Sequence, residues 1–194
     1  MLLDRSRRHA LPLWEGWGNY YKGVLLINRG DLDQGLPLLR AGLDVLGAAR
    51  FAVRFVTFLD EAVLALGRAG QIAAGLAEVD EAVRRFPHAE ERWVITGLLR
   101  GQGELLLLQG APGAAASTES LFRQALDAAR RQGALSWELR AATSLARLLR
   151  NQSRASDALA LLQPVYARLT EGLATTDALA AQRLMEALND IGGR

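Results

Sequence analysis

Arg140 and Arg147 are two turns apart on one helical stripe, and Arg100 falls at a comparable place on an earlier helical stretch. Guanidinium groups so arranged can hold a carboxylate or an acidic peptide by bidentate hydrogen bonds. The same groups have an internal use: Arg140 can pair with Glu138 of its own turn or with a neighbour's acid. Aligning the repeats assigns further polar and aromatic residues to the inward row of successive first helices. The candidate partner-binding set is therefore Tyr20, Asn28, Arg68, Arg100, Glu104, Arg140, Thr143, Arg147 and Asn151, with Asp60 in the same row. The expected partner is a protein or peptide, acidic or carboxylate-ended.

Other chemistry has less to stand on. His9 and His88 are the only histidines and lack metal-ligand spacing, and cysteine is absent, which removes disulfides, thiol catalysis and cysteine-based metal sites. Asp60-Glu61, Asp80-Glu81 and Glu90-Glu91 are sequence neighbours. Adjacent helical positions diverge by about 100°, so these pairs do not converge as acid and base. Gly16-Trp17-Gly18 and Gly101-Gln102-Gly103 follow no strand, and Lys22 has no Walker spacing before it; both glycine pairs read as close-packing points in helices. No Gly-x-Ser-x-Gly elbow occurs. No enzymatic activity and no cofactor are expected.

Trp14, Trp17, Trp93 and Trp137 fall near the starts of predicted first helices. They serve packing, or, for Trp17 with Tyr20 and Tyr21, an aromatic ledge for a peptide. A net charge of +2, with acids interspersed among the arginines, does not point to nucleic acid. The longest apolar runs are far shorter than the roughly 20 residues that span a bilayer. The N-terminus is charged where a signal peptide needs its apolar run, so a cytoplasmic location is expected.

The elements that position these residues follow from a repeat. Gly30-Asp31, Gly70-Gln71 and Gly110-Ala111 separate apolar-periodic stretches at a spacing of 40 residues. Periodicity and breakers predict helices over 2–9, 13–29, 32–47, 50–69, 72–86, 89–109, 115–132, 136–152, 155–171 and 176–190. Ser136 and Thr175 or Thr176 are candidate N-caps, and Pro164 should bend its helix. Seven residues before the turns come Gly23, Val63, Gly103 and Ala146; five after them come Gly35, Gly75 and Ala158; twelve after come Gly42, Ala82 and, with three extra residues, Ala125. Small side chains at these offsets let antiparallel helices approach closely, while Leu39, Val79, Phe122 and Leu162 fill the space beside them. Gly103 is expected to face its partner helix near Ala125.

This code, with Pro87 at a hairpin end, resembles the tetratricopeptide repeat over nearly the whole chain. The units are several residues longer than the standard 34-residue period of that family. The stretch from Phe122 to Ala142, FRQALDAARRQGALSWELRAA, is similar to the C-terminal repeat region of bacterial signal-transduction ATPase and adenylate-cyclase-type transcriptional regulators. Neither ATPase nor cyclase motifs are present, so neither activity carries over. The resemblance implies an all-α, right-handed solenoid of about four degenerate helical hairpins in one domain, 1–194. Residues 1–12 would be the remnant of a preceding hairpin, 13–47, 50–86, 89–132 and 136–171 the hairpins, and 176–190 a capping helix. It also implies a non-catalytic interaction scaffold, the C-terminal docking or sensor module of a larger signalling protein, with the groove as its binding site. The alternative is a structural self-association module with no groove ligand, made a homo-oligomer through an uncovered N-terminal apolar face.

Overall fold

A computed structural model describes residues 2–48, 52–85 and 95–192; Pro87, His88 and Trp93 lie outside them. The described residues form ten helices and no strand: α1 (Leu2–Arg8), α2 (Pro12–Asn28), α3 (Leu32–Ala48), α4 (Ala52–Arg68), α5 (Ile72–Arg85), α6 (Ile95–Gln109), α7 (Ala114–Gln132), α8 (Leu135–Asn151), α9 (Ala155–Tyr166) and α10 (Thr176–Gly192). They fall into two compact units, residues 1–91 and 92–194.

The helices end where backbone chemistry requires. At Gly30 the chain turns left-handed (φ 87°); the Asp31 amide donates to the Leu26 carbonyl at 2.9 Å and the Gly30 amide to Ile27 at 3.0 Å. This paired closure satisfies the carbonyls that a helix end leaves orphaned. The same closure recurs at Gly70, at Gly133 and, with a side chain in the left-handed position, at Ala10 (φ 50°) and Ser153 (φ 62°). Asp31 then opens α3, accepting from the Gln34 amide at 3.2 Å.

In unit 1, α2 and α3 pack backbone to backbone. A Cβ on Gly23 would lie 2.5 Å from the Leu39 amide nitrogen, and one on Gly42 would lie 2.7 Å from that of Tyr20. Gly35 meets Ile27 and the Gly23 carbonyl in the same way. The row Gly16, Tyr20, Gly23 and Ile27 is thus the contact face of α2, as the spacing i, i+4, i+7, i+11 dictates. Val63, Val79 and Ala82 bury the matching positions in α4 and α5.

Unit 2 uses alanine more than glycine. Ala125, Ala146, Ala158 and Leu162 are fully buried in one core with Phe122, Leu145 and the inner face of α10, Ala178, Ala181, Leu184 and Leu188. Gly103 meets α7 at the Phe122 ring, one turn before Ala125, where a Cβ would come within 2.5 Å of the ring edge. Thr118 Oγ1 donates to the Gly103 carbonyl at 3.4 Å beside it.

Two boundaries differ from expectation. α9 ends at Tyr166, not near 171; past Pro164 the Ala167 amide still reaches the Gln163 carbonyl at 3.0 Å, and short-range bonds such as Leu169 amide to Tyr166 carbonyl, 3.0 Å, finish the turn. Ser136 is the second residue of α8, whose N-cap is Ala134 with no side-chain cap. Thr175 does cap α10, accepting from the Ala178 amide at 3.4 Å.

Candidate functional site

The nine candidate residues separate by their place relative to the small contact residue of each first helix. Three positions before that residue stand Tyr20, Asp60, Arg100 and Thr143, with relative exposures of 0%, 2%, 9% and 5%. A side chain there shares the face of the small residue and turns toward the helix packed against it. The expectation that Tyr20, Arg100 and Thr143 line a groove is therefore corrected: all three are buried. Burial is the first cause that raises the Tyr20 phenol well above its ordinary value, with the charges of Glu61 and Asp60 adding to it. Thr143 turns its hydroxyl back onto the Leu139 carbonyl at 2.7 Å.

Five positions after the small residue stand Asn28, Arg68 and Asn151, and all three are exposed. Arg68 donates from α4 to Asn28 Oδ1 on α2, so these two are brought together in unit 1. In unit 2, Asn151 accepts a long bond, 3.5 Å, from its neighbour Arg150.

The arginine clamp is largely committed elsewhere. Arg140 donates through Nε to Asp177 Oδ2 of α10 at 2.6 Å, and its guanidinium stands 5.1 Å from the centroid of the Trp137 ring. The internal use of Arg140 thus prevails, with an acid from α10 and not Glu138. Glu104 accepts from Ser144 Oγ at 2.6 Å, tying α6 to α8. Arg147 is exposed and makes no ion pair with a described residue.

Glu138 is itself buried, 2% exposed, and is held by two arginines: Arg130 Nε on Oε1 at 3.1 Å and Arg168 on Oε2 at 2.7 Å. These three residues, with Pro164 and Val165, line a cleft of about 240 Å³. Such partners offset the cost of taking a carboxylate out of water. Sequence reading could not pair residues from three elements, although an acid between arginine-bearing helix ends is the available signal.

Of the expected aromatic ledge on α2, Tyr20 is buried, Trp17 is half-buried and Tyr21 is exposed. Trp14, Tyr21 and Leu25 are about half exposed, and lie on the side of α2 turned away from the Gly16–Ile27 contact row. Trp14 packs on Trp17 at 5.6 Å between centroids. Tyr21 meets Tyr20 edge-on at 5.4 Å, and its phenol is raised first by partial burial and then by the Glu61 charge. Leu2 and Leu3 of α1 lie over Gly18, in the middle of this face.

Among the described residues no group of three or more His, Asp or Glu side chains is placed to hold a metal ion, and no helix is long and apolar enough to cross a membrane. Comparison with protein-family models and with curated proteins gives no match to this chain.

Proposed function

We propose that the chain is a non-catalytic protein-interaction scaffold, a right-handed solenoid of four tetratricopeptide-like hairpins that holds a peptide or domain on the groove side of its first helices. In this reading it is the C-terminal docking or sensor module of a larger bacterial cytoplasmic signalling protein. Occupancy biases the parent between states by differential binding. The observation that carries the reading is the recurrent packing of first helices on second helices through small residues, which leaves Asn28, Arg68 and Asn151 exposed at one register position of successive first helices, with Arg147 exposed beside Asn151.

The cationic part of the groove rests on Arg147, since Arg100 is buried and Arg140 is engaged by Asp177. A library of acidic and carboxylate-ended peptides screened against the wild type and Arg147→Ala tests it. Binders weakened by the variant support the groove, and the absence of any binder contradicts the scaffold reading. The rival, self-association without a groove ligand, is favoured by the exposure of Leu2, Leu11 and Trp14. Sedimentation across a concentration series decides between them.

A further inference from the structure

The helices α2 and α8 align residue for residue: Trp14 with Trp137, Gly23 with Ala146, Asn28 with Asn151, and the left-handed Gly30 with Ser153. In that register Tyr21 and Leu25 correspond to Ser144 and Leu148. Ser144 and Leu148 are 2% and 4% exposed, and Ser144 is seated on α6 through Glu104. Tyr21 and Leu25 are 52% and 48% exposed. The side by which α8 meets α6 is, on α2, an open apolar face, only part of which α1 covers at Gly18.

This face is concentrated and bordered by charge. Leu2, Leu11, Trp14, Tyr21 and Leu25 make up five of the ten large hydrophobic side chains exposed among the described residues, so the apolar exposure is not scattered. On the α1 side stand Arg5, Arg7, Arg8 and Lys22, all exposed, against Asp4 and Glu15, and Glu15 is already paired with Arg7 at 2.7 Å. Glu61 marks the α4 side, beside Tyr21.

We propose that this face of α1 and α2 docks an amphipathic α-helix of a partner protein, with apolar anchors on the Trp14–Tyr21–Leu25 row and acidic residues along its α1-side flank. The equivalent face of α8 accepts a helix, and that helix, α6, brings a carboxylate to it. The cationic border selects acidic residues on the occupant. A second copy of this chain would set Asp4, Glu15 and Glu61 against the four cationic groups, yet it would bring the same four cations with it and its Glu15 is already held by Arg7. A helix with an acidic flank therefore fits the border better than a dimer does. The proposal rests on the scaffold reading but concerns a surface distinct from Arg147.

Two labelled synthetic peptides as long as α2, with identical Leu and Phe faces and either Glu or Lys flanks, test it by fluorescence anisotropy against the full chain. The Glu-flanked peptide is expected to bind roughly tenfold or more tighter than the Lys-flanked one. Tyr21→Ala with Leu25→Ser should abolish that binding, while Arg8→Glu with Lys22→Glu should invert the preference without altering the circular-dichroism melt. Equal binding of both peptides, or binding unaffected by all four substitutions, overturns the proposal. So does a dimer in sedimentation that Trp14→Ala dissolves. Library peptides that still depend on Arg147 while the Glu-flanked peptide fails would sink this proposal alone; failure of every peptide would remove the scaffold reading with it.

Discussion

Helices α2 and α8 are built on one register and expose different rows. Both bury the position three before the small contact residue, Tyr20 and Thr143, and both expose the asparagine five after it. They part at the next row, where Tyr21 and Leu25 are open while Ser144 and Leu148 are covered. They part again at Val24 and Arg147, where the apolar residue is buried and the charged one is exposed. A helical repeat fixes which rows pack inside its own hairpin; the neighbouring helices decide what the remaining rows do.

The sharpest way to break this comparison is at the adjacent tyrosines. Tyr20→Ala should remove a fully buried ring whose phenol lies by Asp60, Glu61 and Ala62 of α4 and cost about 3–5 kcal/mol, whereas Tyr21→Ala should change stability by about 0.5 kcal/mol or less. Urea melts of the two variants check it, and similar midpoints would mean the register of α2 is misplaced.

Breaking the buried ion cluster comes next. Arg130→Ala with Arg168→Ala leaves the Glu138 carboxylate buried without its partners and should cost about 3 kcal/mol, read in the same melts. Glu138→Gln should cost less, because both arginines are about half exposed and can be hydrated.

Glycine packing separates the units by a smaller margin. Gly23→Ala drives a Cβ into the backbone of α3 and should cost about 2 kcal/mol, despite the roughly 1 kcal/mol that alanine gains over glycine in a helix. Gly103→Ala meets only the edge of the Phe122 ring, which can shift, and should cost about 1 kcal/mol or less. Thermal melts should therefore rank Gly23→Ala below Gly103→Ala.

Ser153 occupies the left-handed position that Gly30 fills after α2. Ser153→Gly should raise stability by about 1 kcal/mol by relieving that backbone strain, and a lowered melting temperature would show that the serine side chain has another role.

Helix number and most boundaries were legible because turn chemistry repeats: Gly30, Gly70 and Gly133 close helices with one hydrogen-bond pattern. The small-residue code was legible for the same reason, since Gly23, Gly35 and Gly42 are where α2 and α3 touch. The candidate site was less so. The repeat alignment put Tyr20, Arg100 and Thr143 on a groove-lining row, yet their spacing from Gly23, Gly103 and Ala146 sets them on the contact face inside the hairpin. Spacing was the stronger signal. The partners of Arg140 and Glu138 depend on how α10 and the end of α9 come back to α8, which no local pattern encodes.

The most direct test of the account is a two-dimensional amide and indole NMR map of the full chain titrated with the Glu-flanked peptide. The account predicts that the largest shifts fall on the Trp14 indole and the Tyr21 and Leu25 amides, while the buried Ser144 and Leu148 stay still. Largest shifts at Ser144, Leu148 and their neighbours, with α2 unmoved, would contradict it.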